Sequence, residues 1–159
     1  MKNITYRRAQ NGDSETITSI LEGAFKEYEI NLPAGYTFSD IEKLEEVYLN
    51  ASGEFIVLIK ARTIIGFFAL LPSSDNQVEL KRLYLRATER GRGLGEHLLN
   101  LAIKTATQSG YDRMHLETTS QFFQAVALYR KFGFKKNTDA KLTPGHDLGP
   151  VSYTHLRAH

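Results

Sequence analysis

Apolar residues in the first part of the chain recur at helical spacing, after a short strand candidate at residues 4–8. The helical spacing predicts a helix over residues 14–29. Ser39 and Glu42 stand three residues apart in a capping-box arrangement, which predicts a second helix over residues 39–50. The apolar face of the first helix is predicted to consist of Ile17, Ile20, Leu21, Ala24 and Phe25.

Apolar, β-branched runs dominate the middle of the chain. The runs 54–61 and 63–71 flank a turn and predict an antiparallel hairpin, and residues 78–85 continue the sheet. Helical spacing returns over residues 93–109, and Gly110 is expected to end that helix. The inner stripe of this helix is predicted to consist of Leu94, Leu98, Leu101, Ala102 and Thr105.

The last part of the chain predicts a strand at 114–118, a helix at 122–132 and a strand start at 134–136. The predicted order is therefore βααβββαβαβ, which belongs to the α/β class. From residue 143 onward, turn-forming residues come first and no apolar period of either kind follows. We expect residues 151–159 to be a non-native tail resembling adapter read-through, and we exclude them from the predicted site.

The composition is that of one globular domain, predicted over residues 1–150. The 159 residues are 42% hydrophobic and 24% charged, which is enough to build a core. A formal net charge of +2 gives no reason to expect nucleic-acid or anionic-membrane binding. The absence of cysteine excludes disulfides and thiolate metal sites. With no apolar run long enough for a secretion signal or a membrane span, we expect a cytoplasmic enzyme.

Three glycines in five residues follow the strand predicted at 78–85 and begin the next predicted helix. The run reads Arg90, Gly91, Arg92, Gly93, Leu94, Gly95. Glycine allows a tight turn and a close approach to a ligand. The amides and the positive dipole end of the helix meet at the same place, so this bend predicts a binding site for a pyrophosphate.

Two common glycine loops do not match this run. A P-loop needs a lysine followed by Ser or Thr, whereas Glu96 and His97 follow the last glycine. A dinucleotide fingerprint needs another glycine spacing and an acidic residue about 20 positions later. The pattern Arg/Gln-x-x-Gly-x-Gly/Ala is matched by Arg90, Gly93 and Gly95, and it resembles the acyl-coenzyme A loop of the GNAT (general-control-type N-acetyltransferase) superfamily.

Two further segments carry the same resemblance. Residues 125–134, AVALYRKFGF, are similar to the family signature A-x-x-L-Y-[ERK]-[KR]-x-G-F. Residues 78–85 resemble the strand that lies along the pantetheine arm. The resemblance covers residues 4–136 and implies the GNAT fold, an α/β (α+β) architecture with a mixed, mostly antiparallel central sheet flanked by helices.

The resemblance implies that acetyl-coenzyme A is the cosubstrate. The backbone of Leu83, Tyr84 and Leu85 would then pair with the pantetheine amides, and the Leu83 amide would hydrogen-bond the thioester oxygen. The neighbouring strand near Met114 is expected to splay away, as it does in the family. The pyrophosphate is expected at Arg90, Gly91, Arg92, Gly93, Leu94 and Gly95, although the two arginines are also compatible with solvated loop charges.

Two side chains are candidates for the chemistry. Tyr129 stands where the family commonly has a tyrosine that protonates the leaving thiolate. The alternative is a helix tyrosine packed in the core, with its hydroxyl group hydrogen-bonded elsewhere. Glu79 coincides with a catalytic glutamate of some branches and would act as a base through water. A surface carboxylate paired with Lys81 or Arg82 is the alternative for Glu79. No metal is expected, because the histidines lack metal-ligand spacing.

The expected reaction is transfer of an acetyl group to a primary amine of a small molecule, by direct attack in a ternary complex. A non-catalytic acyl-coenzyme A binding domain and a protein N-terminal or lysine acetyltransferase are the alternatives. The acidic second helix suggests a cationic acceptor. The resemblance also allows a homodimer. Phe122 stands where many members have a cofactor-contacting asparagine, and Ser120 or Gln121 would replace that contact.

Overall fold

A computed structural model describes residues 3–118, 122–137 and 151–156 of the chain. The strands are β1 Ile4–Arg8, β2 Glu54–Lys60, β3 Thr63–Ser74, β4 Gln77–Leu85, β5 Arg113–Thr118, β6 Lys135–Lys136 and β7 Val151–Leu156. The helices are α1 Ser14–Glu27, α2 Ser39–Glu42, α3 Leu94–Gln108 and α4 Phe123–Lys131. Apart from α2, the elements from β1 through α4 have bounds close to those predicted from the pattern.

The strands form one mixed sheet in the order β1-β2-β3-β4-β5-β7-β6. Within the described residues the β4–β5 pair is parallel, whereas the other pairs are antiparallel. Helices cover both faces: Phe67 of β3 packs in a core with α1 and α2, whereas the next residue, Phe68, packs in a second core with α3 and α4. Successive strand residues point to opposite faces, which explains this division. The predicted α/β fold with a mostly antiparallel sheet is confirmed.

The pairing between β4 and β5 is short. It joins residues 77–79 to residues 113–115 and ends there, although β4 continues to Leu85 and β5 to Thr118. Beyond Glu79 the two strands therefore diverge and leave an opening in the sheet. This divergence is the splay that the sequence resemblance implied.

A bulge accompanies the divergence on the other side of β4. Ala69 of β3 lies opposite Arg82, but the next residue, Leu70, lies opposite Leu80. Lys81 is therefore an extra residue of β4 and changes the alternation of side chains along the strand. After the bulge, Arg82 and Tyr84 lie on the α1 and α2 face of the sheet, because their contacts are with residues of that face.

The second helix differs from its prediction. Ser39 is the first helical residue, and Phe38 occupies the N-cap position with no side-chain hydrogen bond, so the predicted capping box is wrong. α2 ends at Glu42, and the chain continues as a π-helical turn over Glu45–Leu49. Ile41, Leu44 and Tyr48 are fully buried across both turns. Burial of these side chains determines the local geometry here, and propensity does not.

The inner stripe of α3 was predicted only in part. Leu94, Leu98 and Ala102 are buried as predicted, and Leu99 and Ala106 are buried as well. Leu101 and Thr105 are only half-buried. The hydroxyl of Thr105 donates to the backbone oxygen of Leu101 at 2.7 Å, which satisfies this polar group outside the core.

The chain end contains a strand that the pattern did not predict. β7 pairs antiparallel with β5 on one side and with β6 on the other. Backbone pairing needs no apolar period when a free strand edge is available, which explains why the pattern missed it. Whether residues 151–159 are native stays a prediction, as does the domain boundary at residue 150. His146, His159, Ser120 and Gln121 lie outside the described residues.

Candidate functional site at the strand opening

A cavity of about 340 Å³ lies at the opening between β4 and β5. One wall is formed by residues 80–85 of β4, and the other by residues 116–118 of β5. The glycine bend lies at one side of the cavity, and Tyr129 of α4 is part of its lining. The opening therefore brings together most of the residues that the sequence predicted for cosubstrate binding.

The three glycines of the bend have two different roles. Gly91 and Gly93 adopt positive φ angles of 80° and 76°, in the left-handed region that favours glycine. Gly93 is also the N-cap residue of α3, so the first amides of a 15-residue helix follow directly. Gly95 already lies inside α3, where a Cβ atom would stand 3.6 Å from the Cδ2 atom of Leu128. Two glycines thus shape the bend, and the third lies where α3 approaches α4.

The side chains of the bend are only partly directed to the cavity. Arg90 lines it, forms an ion pair with Glu27, and places its guanidinium carbon 5.4 Å from the ring centre of Tyr28. Arg92 is 60% exposed, lies 3.6 Å from Glu89, and is not among the lining residues. Leu94 is buried in the core. The proposed contacts of Arg92 and Leu94 with a ligand would therefore depend on the backbone or on movement of Arg92.

The wall formed by β4 is an open strand edge. Leu83, Tyr84 and Leu85 pair with β3 on one side, but the register with β5 has already ended. Their side chains are half-buried, and all three residues line the cavity. An extended ligand with amide groups can add to such an edge as a further strand would.

Tyr129 lines the cavity from α4 and is only 6% exposed. Burial, with a smaller effect of the nearby Tyr84, raises the pKa of its phenol well above the usual value. The hydroxyl group therefore keeps its proton at neutral pH. Its ring centre lies 5.6 Å from that of Phe134, so the side chain is also packed in the core.

Glu79 lies on the paired part of β4, outside the residues that line the cavity. Its Oε2 atom lies 3.3 Å from Nζ of Lys81, and its Oε1 atom lies 4.0 Å from Nε2 of His115. The carboxylate therefore has a cationic partner at the sheet surface. Its role as a base stays a prediction, and it would require intervening water.

The structure adds a cluster that sequence reasoning missed. Asp40 accepts hydrogen bonds at 2.8 Å from Nη2 of Arg82 and at 2.6 Å from the hydroxyl group of Tyr48. Burial alone would raise the pKa of Asp40, but these hydrogen bonds outweigh it and hold the pKa below 3.8. Arg82 lines the cavity, whereas Tyr48 is fully buried behind it. No local pattern could reveal this cluster, because Asp40 and Arg82 are 42 residues apart.

Phe122 occupies the N-cap position of α4. Its ring centre lies 5.3 Å from those of Phe25 and Tyr28, and 5.9 Å from that of Tyr84. At the position where many family members have asparagine, an aromatic cluster thus joins α1, β4 and α4. Phe122 is itself part of the cavity lining.

The acidic second helix does not form a carboxylate-lined mouth. Asp40 is paired with Arg82, and Glu45 accepts a hydrogen bond from the backbone of Asn11 at 2.8 Å. Neither carboxylate is among the residues lining the cavity, and the same holds for Glu42 and Glu46. The cavity is lined instead by Lys81, Arg82, Arg90, Glu96 and Glu117.

Metal-binding clusters and membrane-spanning helices are both absent from residues 3–118, 122–137 and 151–156. No group of three His, Cys, Asp or Glu side chains there is arranged to hold a metal ion. The described helices are all too short or too polar to cross a membrane.

Comparisons with known proteins agree with this geometry. The sequence model of the acetyltransferase (GNAT) family matches residues 17–134. The uncharacterized N-acetyltransferase YjgM of Escherichia coli (strain K12) is 29% identical over 145 residues, which is 88% of this chain and 87% of that protein.

Two solved structures show the same fold. An acetyltransferase of the GNAT family from Staphylococcus aureus Mu50 superimposes with a TM-score of 0.84 at 23% identity, over 96% of this chain and 98% of that one. The PaiA N-acetyltransferase of Thermoplasma acidophilum, solved in complex with coenzyme A, gives 0.77 at 24% identity, over 97% and 99%. With the family match over most of its length, the chain belongs to the acetyltransferase (GNAT) family and is an acyltransferase by class.

Proposed function

We propose that this protein transfers the acetyl group of acetyl-coenzyme A to a primary amine of a small molecule, by direct attack in a ternary complex. The observation that carries the proposal is the open edge of β4 next to the glycine bend. An anion site and an unpaired strand edge lie on one cavity, and coenzyme A has a diphosphate followed by an arm with two amides. The residues present therefore fit this cosubstrate.

The bend would hold the diphosphate through backbone amides. Gly91 and Gly93 keep side chains out of the way, and the amides that follow Gly93 carry the positive end of the α3 dipole. Arg90 lies at the same side of the cavity, although its ion pair with Glu27 must be shared with or exchanged for the ligand. The backbone of Leu83, Tyr84 and Leu85 would pair with the pantetheine arm.

Acetyl-coenzyme A supplies an activated thioester carbonyl. The neutral amine forms a bond to the carbonyl carbon, and the carbon–sulfur bond breaks. A backbone amide of β4, which we assign to Leu83, would stabilise the negative charge on the carbonyl oxygen, an interaction worth about 3 kcal/mol in other enzymes. The amine nitrogen loses a proton to a water molecule, and that water molecule in turn would pass a proton to Glu79.

Tyr129 would supply the proton that the leaving thiolate needs. Its burial keeps the phenol protonated at neutral pH, and it lines the same cavity as the open edge of β4. The phenol would transfer its proton to the sulfur as the carbon–sulfur bond breaks, and the phenolate would then take a proton from solvent. No metal is required in this scheme.

Isothermal titration with acetyl-coenzyme A, followed by an assay of thiol release with polyamines, amino acids, aminoglycosides and peptides, tests the proposal. We expect saturable 1:1 binding and release of thiol with one class of small amine. Binding with no turnover on any acceptor would favour a non-catalytic domain. Turnover on peptides alone would favour a protein acetyltransferase, and a lack of binding at millimolar concentration would contradict the proposal.

A further inference from the structure

Arg82 lies on β4 just beyond the point where the pairing with β5 has ended. It is the first residue after the bulge at Lys81, and Leu83 follows it on the open edge of β4. Its side chain is on the face covered by α1 and α2, where its guanidinium carbon lies 5.4 Å from the ring centre of Phe38. Arg82 also belongs to the lining of the 340 Å³ cavity.

The order of residues along the strand places Arg82 beyond the expected position of the pantetheine arm. The glycine bend comes after β4, so a ligand anchored there and extended along residues 85, 84 and 83 runs toward Arg82. Strand residues rise about 3.3 Å each, so Arg82 lies one such step past Leu83. The acyl end of the cosubstrate would therefore lie beside Arg82, where the acceptor must also bind.

The guanidinium group of Arg82 is held firmly and is only partly used. Its Nε and Nη2 atoms donate to the carboxylate of Asp40 at 3.2 and 2.8 Å. Tyr48 fixes that carboxylate from behind at 2.6 Å. The phenol groups of Tyr48 and Tyr84 also interact with the guanidinium group, and the side chain of Arg82 is 17% exposed. A guanidinium group has five N–H donors, so one that is fixed in place at the cavity wall is suited to a second carboxylate.

The opposite wall of the opening has the complementary charge. Glu117 of β5 lines the cavity and is exposed. It lies on the same face of the sheet as Arg82, because the intervening Leu116 is in the α3 and α4 core and His115 contacts Ser73 and Glu79. Among the described residues, Glu117 has no ion-pair partner.

The other charged residues of the lining are already paired. Lys81 lies 3.3 Å from Glu79, Arg90 pairs with Glu27, and Glu96 pairs with Lys131. Arg82 is partly engaged and Glu117 is available, so the cavity presents one cation and one anion on facing walls. A polyamine would bring positive charge to Arg82 with no group to match it.

We propose that the acceptor is an amine that also carries a carboxylate, with Arg82 binding the carboxylate and Glu117 facing the amine. This inference rests on the proposed function and names the acceptor class of the same site. Arg82 and Glu117 lie on two different strands. The separation of the two side chains therefore sets the distance between the amine and the carboxylate of an acceptor that fits the site. Amino acids with one, two or three carbons between the two groups sample that distance.

Matched acceptor pairs test the inference. Each amino acid is compared with its carboxamide, which has the same size and amine but no negative charge. We expect kcat/KM with acetyl-coenzyme A to favour the acid by about 10- to 100-fold for at least one spacing, as a charge-assisted pair implies. Calorimetric titration of the same acids and amides into the protein–coenzyme A complex gives a second readout that needs no turnover, and we expect the same preference.

Variants then assign the preference to Arg82. Arg82→Gln should reduce the acid-to-amide ratio to about one in both assays, and the double variant D40N/R82Q should do the same without leaving the Asp40 charge unpaired. Arg8→Gln is the matched control, because Arg8 also pairs with a carboxylate, Glu54, at 2.9 Å but lies on the distant edge strand β1. It should retain the wild-type ratio.

The outcomes separate this inference from the function on which it rests. Equal use of acids and amides by the wild-type protein, or a wild-type ratio in both Arg82 variants, overturns the carboxylate assignment while acetyl transfer stands. Binding of acetyl-coenzyme A without turnover on any acceptor overturns it as well. A lack of acetyl-coenzyme A binding overturns the proposed function, and the acceptor assignment with it.

Discussion

The two ends of β4 differ in composition and in their strand partners: residues 77–79 are Gln-Val-Glu, whereas residues 83–85 are Leu-Tyr-Leu. Residues 77–79, the paired half, are paired with β3 and with β5. Residues 83–85, the open half, are paired with β3 only. The first half closes the sheet and contributes Val78 to the core, and the second half borders the cavity. One strand therefore contributes to the core at one end and to the wall of the candidate site at the other. The neighbouring strand β5 pairs with the first of these segments only.

The largest effect expected from this comparison is on stability. Met114 is buried and lies beside Val78 in the paired half, so Met114→Ala should lower the free energy of unfolding by about 2–5 kcal/mol. Leu83→Ala, in the open half, should cost about 1 kcal/mol or less because Leu83 is only half-buried. Urea denaturation of both variants measures the difference. Equal losses would show that the open half is as tightly packed as the paired half.

The next effect concerns binding at the bend. Gly91→Ala places a methyl group in open space, but it retains a φ of 80° that costs an L-residue about 1–2 kcal/mol. We expect the affinity for acetyl-coenzyme A to fall by about 5- to 30-fold. Gly12→Ala is the control, since its methyl group also meets no atom within 4 Å and its φ is not positive. An unchanged dissociation constant for Gly91→Ala would separate the bend from cosubstrate binding.

Removal of one hydroxyl group from the cavity should affect turnover more than binding. Tyr129→Phe keeps the ring in its core position and removes the proposed proton donor. We expect kcat to fall severalfold with little change in the dissociation constant of acetyl-coenzyme A. Tyr6→Phe, at an exposed position on β1, is the control. A kcat equal to that of the wild type would remove Tyr129 from the mechanism.

The smallest effect is a pH dependence of the cluster behind the open half. The pKa of Asp40 is depressed in the folded protein, so its contribution to stability is present above 3.8 and is lost as the pH falls through the folded pKa. The stability of the wild type relative to D40N/R82Q should therefore decrease as the pH is lowered below about 4. Denaturant titrations at several pH values measure this difference, and a difference independent of pH would contradict the depressed pKa.

Local signals in the sequence predicted most of the fold. The bounds of β1, β2, β4 and α3 follow from apolar runs and glycine stops, which are properties of neighbouring residues. The prediction of a capping box at Ser39 was wrong because serine occurs both at the N-cap and as the first helical residue, and Ser39 is the first helical residue. β7 was missed because its position depends on the free edge of β5, which no local pattern contains.

The candidate site divides in the same way. Gly91 and Gly93 were identified because positive φ angles select glycine, so the conformation leaves a trace in the sequence. The role of Arg82 was not predicted, because no local pattern marks it. Its partner Asp40, which also accepts from Tyr48, comes from a helical segment about 40 residues earlier. A pattern can indicate where the backbone bends, but it does not show which charged side chains meet across a sheet.

Hydrogen exchange with and without acetyl-coenzyme A reports directly on the backbone amides of β4 and of the glycine bend. If the open half of β4 and the bend bind the cosubstrate, exchange should slow in residues 83–85 and 91–95 at saturation. Residues 54–60 of β2, which are already paired on both sides, should show no change. Slowing confined to other segments, or no slowing at saturating acetyl-coenzyme A, would contradict the account.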